Sequence, residues 1–343
     1  AYQFLTGNQA FGGAFTANCP LEMWLPTGSY TAYASRGPQS ILDYAPVDSH
    51  DGQPDNSHTF VVTAAPLPTG WTSFDLPGPS QATTGGFLPC EKLSSALAEG
   101  VQVVGDTEVD RNVDAAGLYN EFHMEFYQSA LTSDLQTAIA NEPYVLPART
   151  SNPPAYGTST ALFTPYYSGA SHGGARASTG WTLADFMTQS EGAYTVVHRP
   201  FGPSGLFTLK GFSATVPLGT GVNAWWNASG SASQGRTQGS FDALELLRGE
   251  GFDEANPDSW FAEFKQTRLA WFALLNQQTP TAFTKGLGLS SALYSLDTPV
   301  GLARTYLKTG ASTLSMPNLD AVQQALKAGA AVASTGPLLD VSA

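Results

Sequence analysis

The sequence repeatedly places a helical stretch, a glycine and a short apolar strand in succession. "LPCEKLSSALAEG" has helical spacing and stops at Gly100, and "VQVV" follows at once. "TLADFMTQSEG" stops at Gly192 before "AYTVVHRP", and "LDAVQQALKAG" stops at Gly329 before "AAVAST". A chain that alternates in this way is expected to build βα units on a parallel sheet. In such folds ligands sit just beyond the carboxyl ends of the strands. The acidic run Asp106, Glu108 and Asp110, directly after "VQVV", therefore falls at a strand tip.

The leading segment has a different texture. "LEMWLPTGSYTAYASRG" alternates apolar and polar residues around a Pro-Thr-Gly turn, and "HTFVVTAAPL" reads as another strand. Residues 1–72 are thus expected to be β-rich and sandwich-like, and residues 73–343 to form the α/β domain. Within the latter, "YVLPA", "TALFTPY" and "FDALELLRG" read as strands, the last with Glu245 turned inward. "DAAGLYNEFHMEFYQSALTSDLQTAIAN" and the amphipathic "PDSWFAEFKQTRLAWFALLNQQ" read as helices.

Composition removes several function classes. The net charge of −13 and pI near 4.6 repel phosphate backbones, so nucleic acid is not an expected partner. No apolar run reaches the roughly 20 residues of a membrane span. Only 13% of residues are charged, against about a quarter in an average domain. A surface made polar by Ser, Thr, Asn and Gln suits an extracytoplasmic protein: periplasmic, secreted or at the cell surface. The chain also starts at Ala1, which suggests processing or an excerpt of a longer polypeptide. Cys19 and Cys90 exclude a cysteine zinc motif; they pair in an oxidising compartment or stay as thiols.

Several side chains suggest chemistry but fit a structural role better. His50 and His58 lie in a polar turn-rich loop. Glu121 and Glu125 share one helix face and His123 does not, unlike a zinc-binding HExxH helix. His172 sits in the Gly- and Ser-rich loop 166–180. The long loop 216–240 carries Trp225 and Trp226, which are either interface anchors or part of the domain's own core. Asn227 begins a glycosylation sequon. No phosphate loop, nucleophile elbow or haem motif is present.

The closing run "GLARTYLKTGASTLSMPNLDAVQQALKAGAAVASTGPLL" resembles the end of PHP-type metallohydrolases of the CehA/McbA group. There an Arg-Thr-Tyr strand precedes a helix and a strand ending in Ser-x-Gly-Pro. "GWTSFDLPGPSQATTGG", "ALAEGVQVVGDTEVD", "AYTVVHRP", "FDALELLRG" and "LYSLDTPVGLARTYL" resemble the preceding segments in order, so the likeness covers about residues 70–343. It implies a distorted (β/α) barrel, often preceded by a β-sandwich. It also implies two or three divalent metals at the carboxyl strand ends and hydrolysis of phosphoesters, carbamates or related bonds.

Matched residue by residue, most of the implied ligands are missing. The opening Asp-Leu-His-x-His is Asp75-Leu76-Pro77-Gly78-Pro79 here, and Thr-Asp-His is Thr107-Glu108-Val109. Pro-Gly-x-Glu matches Pro147-Ala148-Arg149, and the Gly-His falls near Gly157-Thr158. His198 is kept, although Arg199 separates it from Pro200. The final Ser-Asp-x-His is Leu296-Asp297-Thr298-Pro299. Glu108, His198 and Asp297 survive as residual metal ligands, enough for one zinc, manganese or iron ion but not for a cluster. Arg149 is expected near the same mouth, paired with Glu108 or Asp297 in place of a metal. Glu245 is expected to bond Arg149 or His198.

The expected protein is therefore a non-catalytic PHP-like module, a scaffold or interaction domain without a cofactor. Its partners would be another protein, further domains of the same polypeptide, or a second copy of the chain. The alternatives are a metal-dependent hydrolase with a reduced site, and a carbohydrate- or peptide-binding surface protein.

Overall fold

The computed structural model describes residues 25–50, 58–63, 66–77, 89–118, 143–231, 235–248, 257–277, 285–289, 300–310 and 319–338. The strands are β1 (Gly28–Ala34), β2 (Asp43–Ser49), β3 (Trp71–Asp75), β4 (Val103–Asp106), β5 (Tyr144–Ser151), β6 (Ser159–Leu162) and β7 (Tyr194–Val197). They continue with β8 (Ser229–Ser231), β9 (Arg236–Thr237), β10 (Ala243–Arg248), β11 (Lys285–Leu289), β12 (Arg304–Lys308) and β13 (Ala331–Ser334). The α-helices named here are α1 (Pro89–Ala98), α2 (Leu183–Gln189), α3 (Leu206–Lys210), α4 (Pro257–Gln277) and α5 (Asp320–Ala328).

Nine strands share one sheet in the order β11-β10-β7-β6-β5-β4-β3-β12-β13. The edge strands β11 and β13 approach each other, so the sheet curls into a nearly closed barrel. The alternation of helices and strands predicts a parallel sheet; the observed sheet is mixed. β3, β4 and β5 run parallel, and so do β7, β10 and β11. β6 opposes both of its neighbours, and β12 opposes β3 and β13. One reason is local: only residues 152–158 join β5 to β6, too few for the crossover that a parallel pair requires.

The strands alternate faces cleanly. Phe74, Leu76, Val103, Leu146, Ala148, Leu162, Val196, Ala243 and Leu307 fill one core, which α5 joins through Val322, Ala325 and Leu326. Val104 and Val145 point the other way, onto Leu93, Ala96 and Leu97 of α1. Val197 and Leu244 likewise meet Ala270 and Leu274 of α4. This is the period-two rule of a sheet clothed on both faces. It gives the barrel a lumen side and a helix side, which decides where each site residue goes.

The local signals hold where the chain is described. Thr182 and Asp185 form a capping box at the start of α2. Gly329 takes the left-handed conformation (φ 68°) that ends α5, and Gly100 (φ 68°) does the same between α1 and β4. Residues 115–118 are helical; the rest of the expected helix, with Glu121, His123 and Glu125, lies outside the described residues.

The leading segment gives β1 and β2 as a two-stranded antiparallel ribbon. Residues 58–63, expected as a strand, carry no ladder among the described residues; the Thr63 carbonyl accepts the Ile41 N–H and the Val61 N–H donates to Asp43. No sandwich forms among the described residues. His50 and His58 are exposed, and His58 packs its edge on Phe60.

The tryptophan loop folds onto the domain's own core. Trp226 is buried, and Trp225 packs beside it against Phe207. Asn223, fully buried, fixes the loop: its amide nitrogen donates to the carbonyls of Ser213 and Val216, and its oxygen accepts from the Ser213 N–H. Loop 166–180 is also pinned, by Asn112 to the carbonyls of Pro165 and Gly173 and by Asp110 to the Ser178 N–H. His172 stays exposed there.

Candidate functional site at the carboxyl ends of the strands

Above the apolar lumen lies a polar layer made by the next lumen-facing residue of four strands. Thr150 follows Ala148, Thr160 precedes Leu162, His198 follows Val196, and Glu245 follows Ala243. All four side chains are buried. The Thr150 and Thr160 hydroxyls are 2.8 Å apart, and the Thr160 hydroxyl is 2.8 Å from His198 Nε2. His198 Nδ1 is 3.2 Å from Glu245 Oε2, which also accepts the Arg199 N–H at 3.0 Å. A carboxylate only accepts, so Nδ1 carries a proton, and Nε2 is hydrogen-bonded to the Thr160 hydroxyl. The expected bond between Glu245 and His198 is present.

Glu108 belongs to a second network on the other face. Val109 continues the parallel register of β4 beside Thr150, so Asp106 and Glu108 point to the helix side. There Lys92 of α1 meets both: its Nζ is 3.3 Å from Glu108 Oε1 and 3.8 Å from Asp106 Oδ1. All three side chains are almost wholly buried. Burial pushes the Asp106 carboxyl up to about 6; Lys92 opposes the shift and Glu108 reinforces it.

The sequence reading missed Lys92. The available signal was its position four residues before Ala96 and next to Leu93, on the apolar stripe of α1. A charged residue on such a stripe requires a buried counter-charge.

Arg149 corrects an expectation. It faces the helix side, not the mouth. Its guanidinium lies over the Trp181 ring, 5.6 Å from the centroid, and donates to the Gln189 carbonyl at 3.2 Å. Burial lowers its pKa, and Asp110 opposes that shift. The register puts Ala148 and Thr150, not Arg149, on the lumen side.

Other residues matched to the family are structural. Asp75 accepts the N–H groups of Leu76 and Gly301, each at 2.8 Å. Pro77 is buried, and its carbonyl accepts the Thr107 hydroxyl. Arg304, fully buried, donates to the carbonyls of Gly301 and Glu99, tying β12 to the end of α1. The Tyr306 hydroxyl donates to the Gly336 carbonyl.

Of the three residual ligands, Glu108 and His198 thus sit in separate networks on opposite faces of the sheet. Asp297 lies outside the described residues, as does Cys19, so the Cys19–Cys90 pairing does too. No group of three or more His, Cys, Asp and Glu side chains capable of holding a metal exists among the described residues. The described donors do not fit a divalent ion. Both His198 nitrogens are bonded within the protein, and the Lys92 ammonium repels a second cation at Asp106 and Glu108.

The fold and this site define a mixed α/β barrel with an internally paired polar layer at its carboxyl end. No protein-family model matches the chain, and no curated protein matches it. Among solved structures, one similar chain is a two-domain protein from Bacteroides vulgatus, described as containing a predicted PHP-like metal-dependent phosphoesterase. Identity is 13%, over 78% of this chain and 67% of that one, with a TM-score of 0.43. Another is PsfC from Pseudomonas syringae, at 12% identity over 71% of this chain and 84% of that one, with a TM-score of 0.35. At these scores neither likeness carries an argument about family or activity.

Proposed function

We propose that this chain is a PHP-like barrel module, β-rich over 1–72 and barrel-forming over 73–343, that serves as a scaffold or interaction domain. The observation that supports this reading is the occupation of both His198 ring nitrogens by Thr160 and Glu245. An imidazole ligates through a bare nitrogen, and this one offers none without breaking a buried bond. The Lys92 ammonium supplies, at Asp106 and Glu108, the positive charge that a metal would bring. Among the described residues, no helix is long and apolar enough to cross a membrane. The low charge content supports a place outside the cytoplasm, with another protein, a further domain or a second copy as partner.

The test is elemental analysis of the purified full chain after mild dialysis, followed by calorimetric titration with zinc and manganese. The expected result is far less than one metal per chain and no saturable heat. Near-stoichiometric metal that is lost in His198→Ala overturns the reading. It would favour the second one, a metal-dependent hydrolase with a reduced site at Glu108, His198 and Asp297, to be assayed on phosphoesters and carbamates.

A further inference from the structure

α4 carries apolar side chains on two opposite faces. Ala270 and Leu274 are buried on Val197 and Leu244 of the sheet. At 3.6 residues per turn, Phe261, Leu269 and Phe272 fall on the side facing away from the sheet. They are 43%, 60% and 47% exposed. A helix that is apolar on all sides is normally buried on all sides. One exposed apolar side chain is ordinary, but three large ones along a single stripe mark a contact surface.

The centre of that stripe carries charge of one sign. Lys265 and Arg268 lie between Phe261 and Phe272, both exposed. Spaced i, i+3, they repel each other. Four residues away, Lys265 meets Phe261 and Leu269, and Arg268 meets Phe264 and Phe272, so the helix offers neither of them a carboxylate. Neither enters an ion pair among the described residues. The Arg268 guanidinium is held over the Phe264 ring, 5.6 Å from its centroid. That contact orders the long side chain and leaves its N–H donors unused, ready for a carboxylate.

These charges decide the occupant. In a symmetric pair of this chain, the stripe would lie on its own copy about a two-fold axis. The midpoint of Phe261 and Phe272 falls between Lys265 and Arg268, so full overlap brings four cations together. A shift that sets Asp258 of one copy opposite Lys265 of the other leaves Leu269 and Phe272 uncovered. An anionic membrane would attract the two cations but repel a chain of net charge −13. A protein segment with carboxylates set between apolar side chains satisfies both the charges and the stripe. A helix presents such a row at the matching three- and four-residue spacing.

We propose that the outer face of α4 docks an acidic amphipathic helix of a partner protein. Its apolar side chains pack on Phe261, Leu269 and Phe272, and its carboxylates pair with Lys265 and Arg268. The inference deepens the interaction-domain reading and rests on it.

The test is fluorescence anisotropy at low salt with the full chain and two labelled helical peptides of about 18 residues, roughly 27 Å long. One carries leucines at heptad spacing with glutamates between them on the same face; the other has lysines in place of those glutamates. The glutamate peptide is expected to bind saturably, about tenfold or more tighter than the lysine peptide, and to weaken as salt rises. Leu269→Ser should weaken it about tenfold, and Lys265→Glu with Arg268→Glu should reverse the preference. Val332→Ser, exposed on β13, should change nothing. The inference is overturned if neither peptide binds, if the two bind alike, or if the charge reversal leaves the preference as it was. A dimer in sedimentation that Leu269→Ser dissociates would give the face to a second copy. Flotation with phosphatidylglycerol vesicles that is lost in the same variant would give it to a membrane. Either result also overturns the inference. Near-stoichiometric metal held through His198 would instead sink the interaction-domain reading and leave the peptide result standing, so the two failures are told apart.

Discussion

The Lys92 ammonium lies 3.3 Å from a Glu108 carboxylate oxygen, with Asp106 on its other side and all three side chains nearly removed from solvent. Breaking a buried ion pair from one side strands the remaining charges, at a cost of about 3–5 kcal/mol. Lys92→Met should therefore destabilise the protein by that order in urea denaturation. Adding Asp106→Asn and Glu108→Gln to the same chain should restore much of the loss. A Lys92→Met protein as stable as the parent would show that the triad is not closed in solution.

The chain from Thr150 through Thr160 and His198 to Glu245 is buried along its length. Thr160→Val removes its central hydroxyl without changing side-chain shape, leaving His198 Nε2 without its partner. The expected loss is about 1–3 kcal/mol, read from denaturation midpoints. Ser at the same position, which keeps the hydroxyl, should recover part of it.

Stability should fall as pH rises through the weakly acidic range. Burial raises Asp106 to about 6 and Glu99 to about 7, the latter against the opposing charge of Arg304. An acid whose folded pKa lies above its unfolded value binds protons more tightly when folded. Its stabilising effect is complete below the unfolded pKa near 4 and is lost as pH rises through the folded value. Tm should drop between about pH 4 and pH 7, and Asp106→Asn with Glu99→Gln should flatten that slope. A Tm that rises over this window in the parent protein would contradict the assignment.

Asn223 makes three hydrogen bonds that hold the segment bearing Trp225 and Trp226. Asn223→Ala leaves the Ser213 N–H and the Ser213 and Val216 carbonyls without these bonds. A loss of about 2–4 kcal/mol is expected, from the cost of stranding several buried polar groups. Tryptophan fluorescence should shift to the red and become more open to acrylamide quenching. An unchanged spectrum would mean that the aromatic packing alone holds the loop.

Much of this fold is determined by local physics and can be read in the sequence. The helix–glycine–strand runs ending at Gly100 and Gly329 are set by periodicity and by the left-handed freedom of glycine, which need no distant partner. The inward Glu245 was readable from strand alternation, as was the surviving His198 at a strand end. The charge deficit and acidity that argue against nucleic acid are properties of composition alone.

Only the tertiary structure decided which face each side chain took and what it met there. Arg149 and Ala148 differ by one residue, yet that single step sends one to the helix side and the other to the lumen. Glu108 and His198 both follow apolar strands, but strand register places them on opposite faces of the sheet. Lys92, Asp106 and Glu108 come from separate elements, and their pairing depends on how α1 docks on β4. Trp225 and Trp226 look the same in sequence whether they anchor a partner or fill a core, and the three bonds of Asn223 settled that. Local propensity fixes where elements start and stop; register and docking, set by packing between distant segments, decide which charges are neutralised and which polar groups are buried together.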